Sequence, residues 1–297
     1  MLLPLALEYF EAVVEAGSVQ AAARNLLVAP SALSRQIGKL EHELGVTLFT
    51  RQPSGMSVTQ AGAQLHEYAA RSRAEIKLLK QQFDTGSDGL RGSVTIAGVE
   101  GMMPSLLPRW VALARREYPG IQFTIQQLGS VEVISAVLNG DADFGFTFGY
   151  STRAGLRRSG DIHSPIRLFV TDSHPMYGRE RCAISELAEC RFILPDQAFG
   201  LRNEVELAFA EAGTPLQVRA EASSLRFCLA VALHSDLVTF STPRMADDFR
   251  DANRLWSIKV DSPRFKLSQI SLVTRSTDRH PLTNELERFF SRQMKHL

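Results

Sequence analysis

Between Ser18 and Arg51 two helical stretches lie so close together that only a tight turn fits between them. Ser18 is an N-cap residue for a first short helix to Leu26. Pro30 suits the first turn of a second helix that runs to Leu44 and stops at Gly45. That spacing predicts a helix-turn-helix. At roughly 100° per residue, Leu33, Ile37, Leu40 and Leu44 share one face of the second helix, while Ser31, Ser34, Arg35, Gly38 and His42 cluster on the other. A helix that reads the DNA major groove needs short hydroxyls, an arginine able to bond guanine bidentately and small residues that permit close approach. Pro30, Ser31, Ser34, Arg35, Gly38 and Lys39 are therefore the candidate DNA-binding residues of this helix. An amphipathic helix with a solvated polar face has the same periodicity, so the pattern alone does not name its partner.

The flanks extend this unit. Leu3 to Glu15 forms a preceding helix with Leu7, Phe10, Val13 and Val14 on its inner side. Val46 to Phe49 is β-prone, Gln52 to Gly55 a turn and Met56 to Val58 a return strand, which together make a wing with Arg51 at its base, in reach of phosphate or the minor groove. Thr59 caps a long helix from Gln60 to about Asp84, in which Leu65, Ala69, Ser72, Ile76, Leu79 and Phe83 follow a heptad-like spacing. This predicts a dimerisation seam through Leu65, Ala69, Ile76, Leu79 and Phe83; packing of the helix on its own domain is the alternative. Thr85 to Gly89 then makes a hinge.

From Gly92 the pattern changes to strands alternating with helices: strands at Ser93–Ala97, Ile121–Gln127, Phe144–Phe148, Ile166–Thr171, Phe192–Pro195, Gln217–Ala220, Leu237–Phe240 and Leu267–Thr274, with helices at Pro104–Tyr118, Val131–Asn139, Leu201–Ala212, Leu225–Leu233 and Leu282–Lys295. This is a parallel α/β order. The expected fold class is thus α/β with an N-terminal all-α winged helix-turn-helix. Its domains are 1–59 for DNA, 60–86 for the linker helix and 87–297 for the α/β part. In doubly wound sheets ligands sit beyond the carboxyl ends of strands, near helix N-termini that favour anions. That rule selects Val99, Glu100, Gly101, Phe148, Gly149, Phe199, Leu201, Arg202, Ser223 and Ser241. Arg202 is a candidate carboxylate clamp, with a solvent-facing helix-start arginine as the alternative; Glu100 would disfavour an anion and bond an amine, with a solvent-facing carboxylate as the alternative.

A resemblance covers essentially the whole chain. Leu7, Phe10 and Val13, Glu15-Ala16-Gly17-Ser18, Ala22-Ala23, Leu26, Ser34-Arg35-Gln36-Ile37, Leu40-Glu41, Leu44-Gly45, Leu48-Phe49, Arg51, Thr59 and Ala61-Gly62 resemble the signature of LysR-type transcriptional regulators. The resemblance implies a linker helix that holds a dimer together and two Rossmann-like α/β subdomains of periplasmic-binding-protein type. Subdomain I would span about 91–162 and 266–297, and subdomain II about 163–265, with a small-molecule inducer in the cleft between them. It further implies double-stranded DNA as partner, a homodimer or homotetramer, and RNA polymerase as a further partner. Where the family usually has a Ser-Gln-Pro start to its reading helix, this chain has Ala29-Pro30-Ser31, so operator sequence does not transfer.

Composition fits a globular chain with its own cores: 44% hydrophobic and 22% charged over 297 residues. A formal net charge of +1 is not that of an obvious nucleic-acid binder, so affinity would come from the local cluster Arg24, Arg35, Lys39 and Arg51 and from pairing two such units. Cys182, Cys190 and Cys228 form no Cys-x-x-Cys pair and fit a reducing cytosol. No signal peptide and no run of about 20 apolar residues is present, giving a cytoplasmic, nucleoid-associated expectation with no membrane partner. There is no Gly-x-Ser-x-Gly elbow and no phosphate loop. His42-Glu43 and His66-Glu67 each lack the second histidine of a zinc motif, so no enzyme, cofactor or metal is expected. A cytosolic enzyme or solute-binding protein with an unrelated helical appendage is the competing class.

Overall fold

A computed structural model describes residues 5–52, 55–83, 90–104, 106–149, 153–247, 249, 254–277 and 280–297; at 51, 52, 71, 74, 75 and 77–83 it describes the backbone alone. The chain divides into two compact units, Met1–Phe83 and Asp84–Leu297.

The first unit begins with α1 (Leu5–Ala16), α2 (Val19–Asn25) and α3 (Pro30–Leu44). Phe10 and Val13 of α1, Ala22 and Ala23 of α2, and Leu33, Ile37 and Leu40 of α3 close on Leu48 and Phe49 in one core. Ser18 caps α2 by accepting from the Ala21 N–H at 3.1 Å, worth about 1 kcal/mol. Gly45 ends α3 in the left-handed conformation, φ +68. Leu44, expected inside, is 47% exposed, because the helix ends before its last turn reaches the core.

The wing is a hairpin of β1 (Phe49–Gln52) and β2 (Gly55–Val58), with Phe49 opposite Val58 and Gln52 opposite Gly55. Its first strand therefore starts at Phe49 and not at Val46. The cause is Glu41, whose carboxylate accepts from the N–H groups of Leu48 (2.7 Å) and Phe49 (3.3 Å) and holds this stretch against α3. Thr59 donates to the carbonyls of Thr47 and Leu48 and accepts from the Gly62 N–H, which caps α4 (Gln60–Phe83). Gly62 is packed directly on the Leu48 carbonyl, where a side chain would collide. The seam residues divide. Leu65 packs on the first unit's own core and Ala69 is fully buried, so the start of α4 takes the packed-helix alternative, while Ile76 is half-buried. The side chains of Leu79 and Phe83 lie outside the described residues. Arg73 reaches Glu11 of α1 at 2.8 Å.

The second unit opens with β3 (Gly92–Gly98), α5 (Leu106–Glu117), β4 (Ile121–Gln127), α6 (Ser130–Asn139), β5 (Phe144–Phe148) and β6 (Leu156–His163). Then come β7 (Arg167–Thr171), β8 (Arg181–Ala183), β9 (Arg191–Pro195), α7 (Gly200–Glu211), β10 (Gln217–Ala222), α8 (Leu225–Leu233), β11 (Thr239–Ser241), α9 (Pro243–Ala246), β12 (Leu255–Asp261), α10 (Pro263–Leu267), β13 (Gln269–Arg275) and α11 (Pro281–Lys295). Two sheets result. The first runs β4-β3-β5-β13-β6, and α11 returns to cover it with Leu286, Phe289 and Phe290. The second runs β11-β7-β12-β8, with the pair β10-β9 joined to it through a bridge between Phe192 and Val238. The expected parallel order holds for β3 with β4 and β5, for β9 with β10 and for β8 with β12, while β13 is antiparallel to β5 and β6, and β7 is antiparallel to β11 and β12. The chain crosses between the sheets twice, and β13, the strand that returns, enters the first sheet reversed. The strands β6, β8 and β12 were not foreseen: β6 carries Arg157, Arg158 and Asp161, β8 has three residues, and β12 alternates only at its end, where buried Ile258 and Val260 are interleaved with exposed Lys259 and Asp261.

Candidate functional site

The exposed side of α3 carries Ser31, Ser34, Arg35, Gly38 and Lys39, with Pro30 at its first turn, and Leu33, Ile37 and Leu40 fill the opposite side. Sequence periodicity and burial therefore describe the same two faces. Lys39 lies 3.7 Å from Glu43 one turn on, an exposed pair of little strength. The N-cap of α3 is Ala29, which has no side-chain acceptor for the first turn; Pro30 has no N–H, and the Ala32 N–H donates to the Ala29 carbonyl at 3.0 Å. Leu27, in the turn between α2 and α3, is the one non-glycine at positive φ (+55) among the described residues, and it is 93% exposed. A leucine gains nothing from that conformation. Arg51 lies on β1, opposite Met56; its side chain is outside the described residues.

In the second unit Val99, Glu100, Gly101, Phe148, Phe199 and Leu201 converge on one cleft between the two sheets. Gly200 and Thr242, which lie in the strand-end stretches that the doubly wound rule points to, complete its wall together with Gly129, Ser130, Leu225 and Ile270, which were not foreseen. Of these four, Gly129 carried the only signal, at the start of a helix. A Cβ on Gly200 would sit 2.6 Å from the Phe148 carbonyl, and one on Gly129 would sit 2.6 Å from the Ala198 carbonyl. Both lobes therefore meet backbone on backbone. Ser130 Oγ accepts from the Gly200 N–H at 3.2 Å, and the Ser130 N–H donates to Ala198 at 3.0 Å. So close a meeting leaves a cavity of about 20 Å³, room for one water.

Glu100 is a side-chain bridge between the lobes. Held at the end of β3 on a short 3-10 turn, it is 5% exposed and spans to the N-terminus of α8. Its carboxylate accepts from the Leu225 N–H at 2.6 Å, the Arg226 N–H at 3.3 Å and Ser224 Oγ at 2.8 Å. Amides at a helix N-terminus favour an anion, and here the protein's own side chain supplies it. The expectation that Glu100 offers a carboxylate to an amine is corrected, because both oxygens are already engaged. The carboxylate clamp is corrected likewise. Arg202 is buried, with Nε on Glu206 (2.7 Å) and Nη1 on the Pro195 carbonyl (2.8 Å) and Glu221 (2.9 Å), all within one lobe. Gly149, Ser223 and Ser241 do not line the cavity: Gly149 and Ser223 are exposed, and Ser241 is buried in β11.

The three cysteines are free. Burial pushes the Cys182 and Cys228 thiols up to about 12 and raises Cys190, which leaves little thiolate at neutral pH. Among the described residues no group of three or more His, Cys, Asp or Glu is placed to hold a metal, and no helix is long and apolar enough to cross a membrane.

Two family models match. Residues 5–63 match the one described as bacterial regulatory helix-turn-helix protein, lysR family, and residues 87–295 the one described as LysR substrate binding domain. The transcriptional dual regulator GltC of Bacillus subtilis is 30% identical over 220 residues, 74% of this chain and 73% of that one. A hydrogen peroxide-inducible genes activator of Pectobacterium carotovorum is 27% identical over 219 residues, 74% of this chain and 72% of that one. Among solved structures, a full-length OxyR variant from Pseudomonas aeruginosa superimposes with a TM-score of 0.67 at 17% identity, covering 99% of this chain and 95% of that one.

Proposed function

Because the chain belongs to the LysR family of bacterial helix-turn-helix regulators, and is thus a DNA-binding transcriptional regulator with an effector domain, we propose how its residues divide the work. Ser31, Ser34, Arg35, Gly38 and Lys39 face the major groove from α3, with Pro30 at its start, and Arg51 contacts phosphate from the wing. A small effector enters the cleft between the lobes against Val99, Gly101, Ser130, Phe148, Phe199, Leu201 and Thr242. The observation that carries the sensor half is Glu100 on the α8 N-terminus, a carboxylate in a ready-made anion site. An effector with an anionic group would compete for those donors and release the latch. The reading assigns the protein no catalytic step. It acts as a homodimer or homotetramer through Ile76, Leu79 and Phe83 of α4, in the cytoplasm on nucleoid DNA, with RNA polymerase as its partner at the promoter.

Peroxide sensing through a thiol, suggested by the name of one relative, is less favoured because the buried thiols are held protonated. The division of labour is tested by operator binding. Arg35→Ala should lose about 1–3 kcal/mol against the specific site and relax discrimination at one position. Arg51→Ala should weaken all sequences alike and lower the salt slope by about one unit. A gel-shift titration on operator and scrambled duplex separates the two. Unchanged discrimination by Arg35→Ala would remove α3 from the groove.

A further inference from the structure

A larger concavity, about 730 Å³, lies elsewhere in the second unit, under the end of the β7-β12-β8 sheet. Its floor is apolar: Ile166, Val260 and Phe265 are all buried. Its wall is cationic, with Arg167, Arg181, Lys259 and Lys266, and His163 alongside. Sheet register explains why these charges meet. Lys259 stands directly opposite Arg181 on β8, and since Ile258 pairs with Leu168, the next position brings Lys259 alongside Arg167 on β7. Three cations thus occupy neighbouring positions on adjacent strands, and α10 adds Lys266. Like charges opposite one another destabilise a sheet. One carboxylate in the wall opposes them, Asp261, and it is engaged with Arg181 at 3.2 Å. Arg167, Lys259 and Lys266 make no ion pair among the described residues. His163 Nε2 is held by the Lys266 carbonyl at 2.7 Å, which fixes the α10 side of the wall.

We propose that this concavity is a second ligand site, distinct from the cleft that Glu100 closes, and that it takes a small polyanion carrying two or more phosphate or carboxylate groups. A volume of about 730 Å³ falls within the range of small-molecule pockets. A concave site with an apolar floor fits a metabolite better than a DNA backbone, which needs an open, convex approach. The polyanion would bridge Arg167, Lys259 and Lys266 and relieve their mutual repulsion, so the site has its highest stability when filled.

The test uses the full-length protein with inorganic pyrophosphate and citrate as probes, by thermal shift and calorimetric titration against sodium chloride of matched ionic strength. Saturable stabilisation by one or both probes is expected, and which of them binds tells phosphate from carboxylate. The variant R167A/K259A should raise the dissociation constant at least tenfold. Without ligand it should melt no lower than the parent, because it removes repulsion and no ion pair. Stabilisation no greater than that by chloride would overturn the proposal. An undiminished response in the double variant would also overturn it, since the anion would then bind elsewhere. So would a double variant that keeps pyrophosphate binding and loses affinity for non-specific duplex.

Discussion

Glu100 shows how one side chain can join two lobes. Three charge-assisted bonds to the start of α8 cross from one lobe to the other, and such bonds are about twice as strong as neutral ones. Glu100→Ala should therefore cost about 1–3 kcal/mol of stability, seen as a lowered midpoint in urea. Added acetate should restore part of it by entering the vacated anion site, whereas chloride at equal ionic strength should not. If the alanine variant is as stable as the parent, the latch carries no weight and the cleft is closed by its backbone contacts alone. The position of Glu100 at a strand end was legible in the sequence, but its partner was not. The α8 N-terminus lies more than a hundred residues further along the chain, and no local pattern shows which carboxylate a helix start will capture. Arg202 failed for the same reason, because Glu206 is a turn away but Glu221 and the Pro195 carbonyl are supplied by neighbouring strands.

At the scale of elements, α3 was the most legible part of the chain. Its start at Pro30, its stop at Gly45 and the burial of Leu33, Ile37 and Leu40 all follow from residue spacing and terminal signals that act within one turn. The wing was legible in kind but not in register, since its first strand is positioned by Glu41 and not by its own β-propensity. The linker helix was legible in extent, but the first two positions of its apolar stripe, Leu65 and Ala69, are used by its own unit. Periodicity identifies a face and is silent on what covers it. One element remains under-built. Ala29 leaves α3 without a side-chain cap, where a serine would accept from the first turn as Ser18 does for α2. Ala29→Ser should stabilise the first unit by about 1 kcal/mol, measurable as a raised thermal midpoint. No gain would mean that the Ala32 N–H, already on the Ala29 carbonyl, and the Ser31 N–H gain nothing from a side-chain acceptor. A gain in stability with a loss of DNA affinity would instead assign those groups to a phosphate.

At the scale of the molecule, each unit has its own apolar core: Phe10, Leu33, Ile37, Leu48 and Phe49 in the first, and a larger one around Phe144, Phe146, Phe240 and Phe290 in the second. A cooperative transition requires that losing some contacts undermines the rest, and two separate cores do not impose that on one another. Scanning calorimetry of the full chain should accordingly show two transitions. Operator duplex should raise one of them and a cleft effector the other, each by the mass-action term for a ligand that binds only the folded form, about 2.7 kcal/mol at a hundredfold excess over Kd. The informative quantity is the cross effect. Binding free energies are reciprocal, so whatever amount the effector adds to operator affinity, operator must add to effector affinity. A typical coupling of about 1–3 kcal/mol would show as a further rise of both midpoints when both ligands are present, beyond the sum of the separate rises. Two midpoints that respond only to their own ligand would mean that the cleft reports to no DNA-binding unit. A single transition moved equally by either ligand would mean that the two cores unfold as one.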